Sequence, residues 1–184
     1  MQQFLAWISC LALIGYAYHT FSTRSVRLGT TEDGVSAFVS SDSSLREINH
    51  IKWQGQQLVT GRRWECVEFA RRYLIKTKGM IFRDVGRAEE IWNMPTFIDL
   101  QTKMEVPCKH YKIGEVVPRQ GDLLIWAASE DAPYGHVAII VQTTNDKRGK
   151  VWIAEQNWDN WIAPHYSRTI ILFNTPHLLG LIRV

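Results

Sequence analysis

The chain has little cysteine, and its cysteines do not form a disulfide framework. Only three occur among its 184 residues, namely Cys10, Cys66 and Cys108. Cys10 lies in an apolar terminal segment, which leaves at most one intramolecular bridge in the body of the protein. Cys108 and His110 form a Cys-x-His pair, but no further set of ligands completes a zinc site. The sequence therefore predicts neither a disulfide-stapled domain nor a metal centre.

Excess charge, internal repeats and low-complexity tracts are also lacking. The formal net charge is only +3, so charge alone does not indicate a nucleic acid partner. The eight tryptophans are many for this length, but no RNA-binding module accompanies them, so we assign them to the core or to a substrate cleft. With 46% hydrophobic and 21% charged residues, the chain is expected to fold as one globular domain.

One long apolar run stands at the N-terminus, where residues 4–21 carry no formally charged side chain. A membrane-spanning helix needs about 17–20 such residues. No Lys or Arg precedes the run, which argues against an ordinary signal peptide. Arg24 and Arg27 follow it, so the positive-inside rule places the body of the protein in the cytosol. We predict a membrane anchor at residues 1–21, a linker at 22–33 and a folded domain at 34–184. Cleavage of the segment would instead give a secreted protein, and a buried terminal helix is the remaining alternative.

The order of the predicted elements favours an α+β class. Helical spacing is strongest just after the second cysteine, where Val67, Ala70 and Leu74 fall on one face. A second helix is predicted over residues 84–100, ending near Pro95, and residues 45–58 are predicted to form a loop with a short helix. The expected strands are residues 34–41, 123–126, 135–141, 151–157, 167–173 and 178–184. Helices come first and antiparallel strands follow, unlike the alternation of a βαβ protein.

The residue types that nucleophilic acyl transfer needs occur in suitable places: a thiol, an imidazole and a group that orients the imidazole. Cys66 opens the predicted helix, where the positive end of the helix dipole favours the reactive thiolate. His136 opens a predicted strand, and Glu155 and Asn157 share one face of the next strand. If these strands pair, either Glu155 or Asn157 can reach His136, and the spacing leaves the choice open.

Each of these residues also has a simpler interpretation. A free cysteine usually packs as a small hydrophobic residue. His136 alone fits a satisfied histidine at a strand edge, and Glu155 and Asn157 alone fit the start of a turn. Burying a polar group without a partner costs about 1–3 kcal/mol, however, so two polar residues at the end of an otherwise apolar face favour the catalytic interpretation. The order of cysteine, histidine and acid or amide is shared by papain-type enzymes.

The string WECVEFARR at residues 64–72 closely resembles the cysteine helix of the CHAP amidases, in particular the amidase domain of glutathionylspermidine synthetase/amidase and trypanothione synthetase. The similarity covers nearly everything from residue 34 onward. It continues through the segments GVSAFVSS at 34–41, GDLLIW at 121–126, GHVAII at 135–140, IAEQN at 153–157 and LGLI at 179–182.

This resemblance implies a papain-like α+β fold in which N-terminal helices pack on an antiparallel sheet. It implies Cys66 as the nucleophile, His136 as base and then acid, and Glu155 as the orienting carboxylate. It further suggests that Arg71 and Asn157 bind the polar end of a small-molecule or peptide amide. The reaction requires no metal or organic cofactor, and the backbone N–H of Cys66 is the expected oxyanion donor.

Two departures from the family pattern affect the expected activity. The family usually has Gln before the nucleophile, where its amide helps to hold the oxyanion, but this chain has Glu65. An ionised carboxylate cannot donate a hydrogen bond and repels developing negative charge. Glu65 is therefore protonated, or points away, or changes activity and specificity. The sequence also lacks an ATP-using synthetase half, so we expect hydrolysis and not synthesis.

The favoured substrate is a glutathionylspermidine-like conjugate, cleaved to glutathione and a polyamine. A second hypothesis keeps the chemistry but directs it at peptidoglycan peptides, as in other CHAP hydrolases. A third is a binding module that has lost turnover through Glu65, and an intact set of Cys66, His136 and Glu155 argues against it. The residues predict no oligomeric state.

Overall fold

The structure is a computed structural model that describes residues 25–41, 47–144, 149–159, 161–163 and 165–184. Within these ranges the chain forms the α-helix α1 (Cys66–Lys78) and two short 3₁₀ helices, Ala88–Asn93 and Leu172–Asn174. The strands are β1 Arg27–Thr30, β2 Ser36–Phe38, β3 Ile48–Trp53, β4 Gln56–Arg62, β5 Met80–Ile81, β6 Thr96–Asp99, β7 Glu105–Pro107, β8 Lys109–Tyr111, β9 Leu123–Trp126, β10 His136–Thr143, β11 Lys150–Ala154, β12 Arg168–Ile171 and β13 Leu178–Arg183.

A six-stranded sheet in the order β12-β11-β10-β9-β13-β8 forms the centre of the fold. All of its neighbouring strands are antiparallel, which confirms the predicted α+β class. Helix α1 covers one face, where its Phe69 and Leu74 share a buried cluster with Ile125 and Val137 of the sheet. The other face has its own cluster, to which Ile140 and neighbouring strands contribute. Because both faces are covered, all of β9 and residues 137–140 of β10 are buried and apolar.

Helix α1 begins at Cys66 and ends before Gly79. Glu65, with φ −78° and ψ 161°, is the extended residue before the helix, and its side chain makes no capping hydrogen bond. At the other end Gly79 adopts φ 64° and its N–H bonds back to the carbonyl of Ile75, the arrangement that glycine favours at a helix C-terminus. Lys76 and Lys78 lie in the last turn, where positive charge stabilises the helix dipole. Cys66 is thus the first residue of the helix, and no side-chain cap from Glu65 precedes it.

The segment predicted at 45–58 as a loop with a short helix is instead part of a β-hairpin from Ile48 onward. Strands β3 and β4 pair in register around Gln54 and Gly55, which have φ values of 46° and 80°. Two residues with positive φ form the tight turn that matches the twist of a hairpin. The helix prediction was wrong because His50 and Lys52 belong to the exposed face of a paired strand, while Asn49 is buried.

Two further segments differ from the sequence-based expectation. The helix predicted over residues 84–100 is only the 3₁₀ helix Ala88–Asn93, after which Pro95 is followed by strand β6. The β-branched and aromatic residues of β6 fit a paired strand better than a helix. Part of the linker expected at 22–33 is folded as well, since β1 pairs with β2 and Leu28 is fully buried.

Among the described residues, no helix is both long enough and apolar enough to cross a membrane. The predicted anchor at residues 4–21 lies outside the described residues. Anchoring at the membrane, and a cytosolic position of the domain, therefore stay predictions.

Candidate active site

His136 and Glu155 meet at one end of the central sheet. Strands β10 and β11 pair with Ile139 opposite Ala154, so Glu155 continues β11 next to the start of β10. The imidazole Nε2 of His136 lies 2.9 Å from Oε2 of Glu155, and both side chains are buried. Glu155, rather than Asn157, is therefore the partner of the imidazole.

The charge and hydrogen bond of Cys66 act on the same imidazole. Because Nε2 is engaged with Glu155, Nδ1 is the ring nitrogen that remains available to the thiol. The side chain of Cys66 is half-buried, so a reactant can approach it from solvent. The three residues predicted as nucleophile, base and orienting group are thus brought together in one row.

The ionisation of His136 is controlled by its two partners. Burial by itself works to lower the pKa of an imidazole, but the charge and hydrogen bond of Cys66, followed by those of Glu155, raise the pKa of His136 to about 9. At neutral pH the ring therefore carries its proton. An imidazolium next to a thiol favours the thiolate, which is the reactive form of cysteine.

Arg168 completes the electrostatics of the site, although the sequence did not indicate it. Its Nε donates a hydrogen bond to Oε1 of Glu155. Burial acts to raise the pKa of Glu155, but the hydrogen bonds and charges of His136 and Arg168 outweigh burial and hold it below the ordinary value. Glu155 is therefore an anion between two cations. Arg168 reaches the site because β11 pairs with β12, which places Arg168 opposite Ile153. This register cannot be read from a single sequence.

Two tryptophans enclose the imidazole. The ring of Trp126, which pairs with His136 across β9 and β10, lies 5.6 Å from it between centroids. Trp158, just beyond β11, lies at 4.6 Å and is 41% exposed. Trp158 therefore packs on the imidazole while part of its own side chain is exposed to solvent.

A glycine determines how the chain enters β10 at His136. Gly135 has φ +67°, and a Cβ atom there would lie 2.5 Å from the carbonyl oxygen of Trp126. A residue with a side chain would be strained at this φ and would also clash with backbone. The adjacent loop is held from the other side, because the N–H of Ala88 donates to the carbonyl of Tyr134 at 2.8 Å. The position of His136 is thus set by backbone on both sides.

The residues predicted to bind substrate have different surroundings. Arg71 is 7% exposed and donates through Nη1 to Oδ1 of the exposed Asp84 at 2.9 Å, while its buried Nε has no hydrogen-bond partner among the described residues. Glu65 is half-buried, and burial raises its pKa with a further contribution from Asp84, against the opposing charge of Arg62. Asn157 is exposed, with φ 56°, shortly after β11 ends at Ala154.

Neither a metal centre nor a second catalytic cluster is evident in the described ranges. No group of three or more His, Cys, Asp or Glu side chains is placed there to hold a metal ion, and the Sγ of Cys108 lies 3.9 Å from Nε2 of His110. A separate cleft of about 350 Å³ is lined by Val116, Leu172 and their neighbours, and by none of the predicted site residues. The chemistry is therefore assigned to the Cys66 site and not to this cleft.

Comparison of the sequence with known proteins identifies a family and several relatives. A family model described as CHAP domain matches residues 57–157, which is more than half of the chain. A bifunctional glutathionylspermidine synthetase/amidase of Escherichia coli (strain K12) is 41% identical over 137 residues, 71% of this chain and 22% of that protein. In Crithidia fasciculata, a glutathionylspermidine synthase is 33% identical over 121 residues, 62% of this chain and 16% of that protein. A trypanothione synthetase of the same organism is 36% identical over 99 residues, 53% and 15% of the two chains. The resemblance stated from the motifs is confirmed, and the chain spans about a fifth of the length of the first of these relatives.

Proposed function

Because the chain belongs to the CHAP domain family, we propose that it is a cysteine-dependent amidohydrolase, which cleaves an amide through a thioester acyl-enzyme. The observation that carries this proposal is that one buried ring, His136, interacts with both Cys66 and Glu155, with 2.9 Å between His136 Nε2 and Glu155 Oε2. A thiol, an imidazole and a buried carboxylate in this order are what nucleophilic acyl transfer requires.

The catalytic cycle follows from the ionisation of the site. The thiolate of Cys66 attacks the amide carbonyl carbon, and the C–S bond forms. His136 then donates its proton to the amine nitrogen as the C–N bond breaks; a pKa of about 9 keeps that proton available at neutral pH. In the second half, His136 takes a proton from water as the water oxygen attacks the thioester carbonyl carbon. The C–O bond forms, the C–S bond breaks, and the acid leaves while the Cys66 thiolate and protonated His136 are restored. Glu155 keeps the ring in place throughout.

The oxyanion that forms in each half-reaction needs a donor at the start of α1. The N–H of Cys66 is such a donor, since the first N–H groups of a helix have no partner within the helix. Glu65 stands next to it, and a charged carboxylate there would oppose the developing negative charge. The raised pKa of Glu65 extends the pH range over which this side chain is neutral.

For the substrate we propose a conjugate of the glutathionylspermidine type, with a cationic amine as leaving group. The name of the Escherichia coli relative supports this class. Glu65, the residue before Cys66, offers an acidic side chain to a cationic leaving amine.

The decisive experiment is hydrolysis of glutathionylspermidine by the full chain, followed by release of spermidine. Replacing the nucleophile in Cys66→Ala should lower kcat at least about a thousandfold and change the free energy of unfolding by less than about 1 kcal/mol. Cys108→Ala is the matched control, because it removes the other described free thiol outside the site. Retained turnover in Cys66→Ala would contradict the mechanism.

Two further outcomes distinguish an error in the proposed substrate from an error in the proposed mechanism. If spermidine is not released but Cys66 reacts readily with iodoacetamide near neutral pH, the cysteine hydrolase stands and cell-wall peptides become the substrates to test. If the thiol is inert as well, the enzyme proposal fails and a binding module is the better description.

A further inference from the structure

Gln156 connects the orienting carboxylate to the nucleophile. It is fully buried and uses its whole amide group. Its Nε2 donates to the carbonyl oxygen of Glu65 at 3.3 Å and to Oε2 of Glu68 at 3.1 Å. Its Oε1 accepts from the N–H of Phe38 at 3.0 Å and from Nη2 of Arg72 at 3.1 Å. An amide has two donor and two acceptor positions, so none remains for water or substrate.

The bond to Glu65 matters because of the peptide to which that carbonyl belongs. The carbonyl of Glu65 and the N–H of Cys66 are part of one planar trans peptide, in which the two groups point in opposite directions. The carbonyl also accepts the N–H of Phe69 at 3.1 Å, the first bond of α1. Gln156 supplies the second bond, from outside the helix. Holding the oxygen therefore fixes the direction of the Cys66 N–H, the donor assigned to the oxyanion.

The backbone of Gln156 links the same peptide to the orienting carboxylate of Glu155. Gln156 follows Glu155 directly, and successive side chains of an extended chain point to opposite sides. Glu155 reaches His136 on one side, while Gln156 reaches the start of α1 on the other. Glu155 thus contacts the imidazole, and the adjacent Gln156 contacts the peptide before Cys66.

We propose that Gln156 is a positioning residue that aims the N–H of Cys66 at the oxyanion. This role rests on the proposed function, since it requires acyl transfer at Cys66. It predicts that loss of the Gln156 side chain slows reactions that pass through a tetrahedral oxyanion, and that it spares reactions of the thiolate that form no oxyanion.

Asn49 offers a matched control for a purely structural role. Its Nδ2 donates to Oε1 of Glu68 at 2.8 Å, and its side chain is nearly as buried as that of Gln156. Asn49 therefore belongs to the same buried network around Glu68, yet it is bonded to Thr60 and not to the peptide before Cys66. Replacing either amide by leucine removes hydrogen bonds from Glu68, but only Gln156→Leu releases the carbonyl of Glu65.

The test uses the full chain with Cys10 and Cys108 replaced by serine, so that Cys66 is the only thiol. p-Nitrophenyl acetate acylates the thiolate through a tetrahedral oxyanion and releases p-nitrophenolate. Iodoacetamide alkylates the same thiolate by displacing iodide, without an oxyanion. The ratio of the two rates thus measures oxyanion stabilisation independently of the natural substrate.

Gln156→Leu should lower the acylation rate about tenfold or more, since loss of one oxyanion donor costs about 100- to 1,000-fold and here the donor is misdirected but not removed. Its alkylation rate should stay within about threefold, and Asn49→Leu should leave both rates within about threefold. If Gln156→Leu does not fold, Gln156→Met replaces it, because methionine has nearly the length of glutamine but no donor for the carbonyl of Glu65.

Parallel loss of both rates in the Gln156 variant, or the same change of ratio in Asn49→Leu, would overturn the inference. An unchanged acylation rate would overturn it as well. A Cys66 that is inert to both reagents in the otherwise unmodified protein would overturn the proposed function, and this inference with it.

Discussion

Replacing Glu155 with glutamine tests whether its charge, and not only its shape, supports His136. Glutamine keeps the length of the side chain and one acceptor oxygen, but it is neutral. In the native site both His136 and Arg168 are bonded to this carboxylate. The glutamine amide can offer its oxygen to only one of them, and its NH₂ group then faces the other donor. The variant therefore loses one charge and one hydrogen bond.

The size of the effect follows from the energies of the two kinds of hydrogen bond. A bond to a charged group contributes about 1.5–3 kcal/mol and a neutral bond about 1 kcal/mol. The difference is about 1–2 kcal/mol, and one pKa unit corresponds to about 1.4 kcal/mol. The pKa of His136, which is about 9 in the native site, should therefore fall by roughly one unit in Glu155→Gln.

The assay is kcat/KM for amide hydrolysis as a function of pH, which reports the ionisations of the free enzyme. The unmodified protein should lose activity above about pH 9, where His136 loses its proton, and this limb should move to lower pH in the variant. Asp122→Asn is the matched control, because Asp122 is also a buried carboxylate, paired with Arg183 at 2.7 Å, at the opposite end of β9 from Trp126. A limb that stays in place in Glu155→Gln, or that moves equally in Asp122→Asn, would refute the reasoning.

The same ionisation affects folding stability. The pKa of His136 is raised from 6.5 to about 9 on folding, so its contribution is complete below pH 6.5 and is lost as the pH rises through 9. Urea unfolding at intervals across this window should show a decline in the native protein that is smaller in Glu155→Gln.

Two substitutions outside the catalytic row test its surroundings. Glu65→Gln should leave kcat unchanged or raise it at neutral pH, since it removes a negative charge next to the oxyanion, and the difference should shrink at low pH as Glu65 itself is protonated; kcat measured from pH 5 to 8 checks this. Gly135→Ala should lower the free energy of unfolding by at least about 2 kcal/mol in urea denaturation, because the residue is strained and its Cβ meets the backbone of Trp126. Gly34→Ala is its control, since Gly34 has a similar φ of +76° and no atom near the added Cβ.

Each of these expectations has a contrary result. A large loss of kcat in Glu65→Gln would give Glu65 a catalytic role, and a rise in KM alone would indicate that it binds the cationic leaving group. Equal destabilisation by Gly135→Ala and Gly34→Ala would show that backbone strain matters at both positions and that the contact with Trp126 does not.

Sequence reasoning located the site where local signals were strong. The helix at Cys66 and the strand at His136 each follow a turn and continue into an apolar pattern, so their starts were readable. Glu155 was one of two candidates, because alternation along a strand places Glu155 and Asn157 on the same face and cannot rank them.

The parts that were missed depend on contacts between distant positions. Gln156 is bonded to the N–H of Phe38, 118 positions earlier, and Arg168 reaches Glu155 only through the register of two strands. Neither residue stands in a local pattern that differs from that of an ordinary polar side chain. The hairpin that includes Gly55 was missed for a related reason, since a short strand with one exposed face shows only weak alternation.

The place of β13 in the sheet has a consequence for the order in which the enzyme is assembled. Strand β13 is inserted between β9 and β8, so β9, the partner of the strand that carries His136, gains its second neighbour only when the last described strand docks. Helix α1 and the β3–β4 hairpin use contacts close in sequence, which form faster than distant ones because less loop-closure entropy is lost. We therefore expect Cys66 to be in its helix well before the imidazole is in place. A growing chain would then carry Cys66 in its helix before β9 and β10, which hold His136 in place, have been completed by β13.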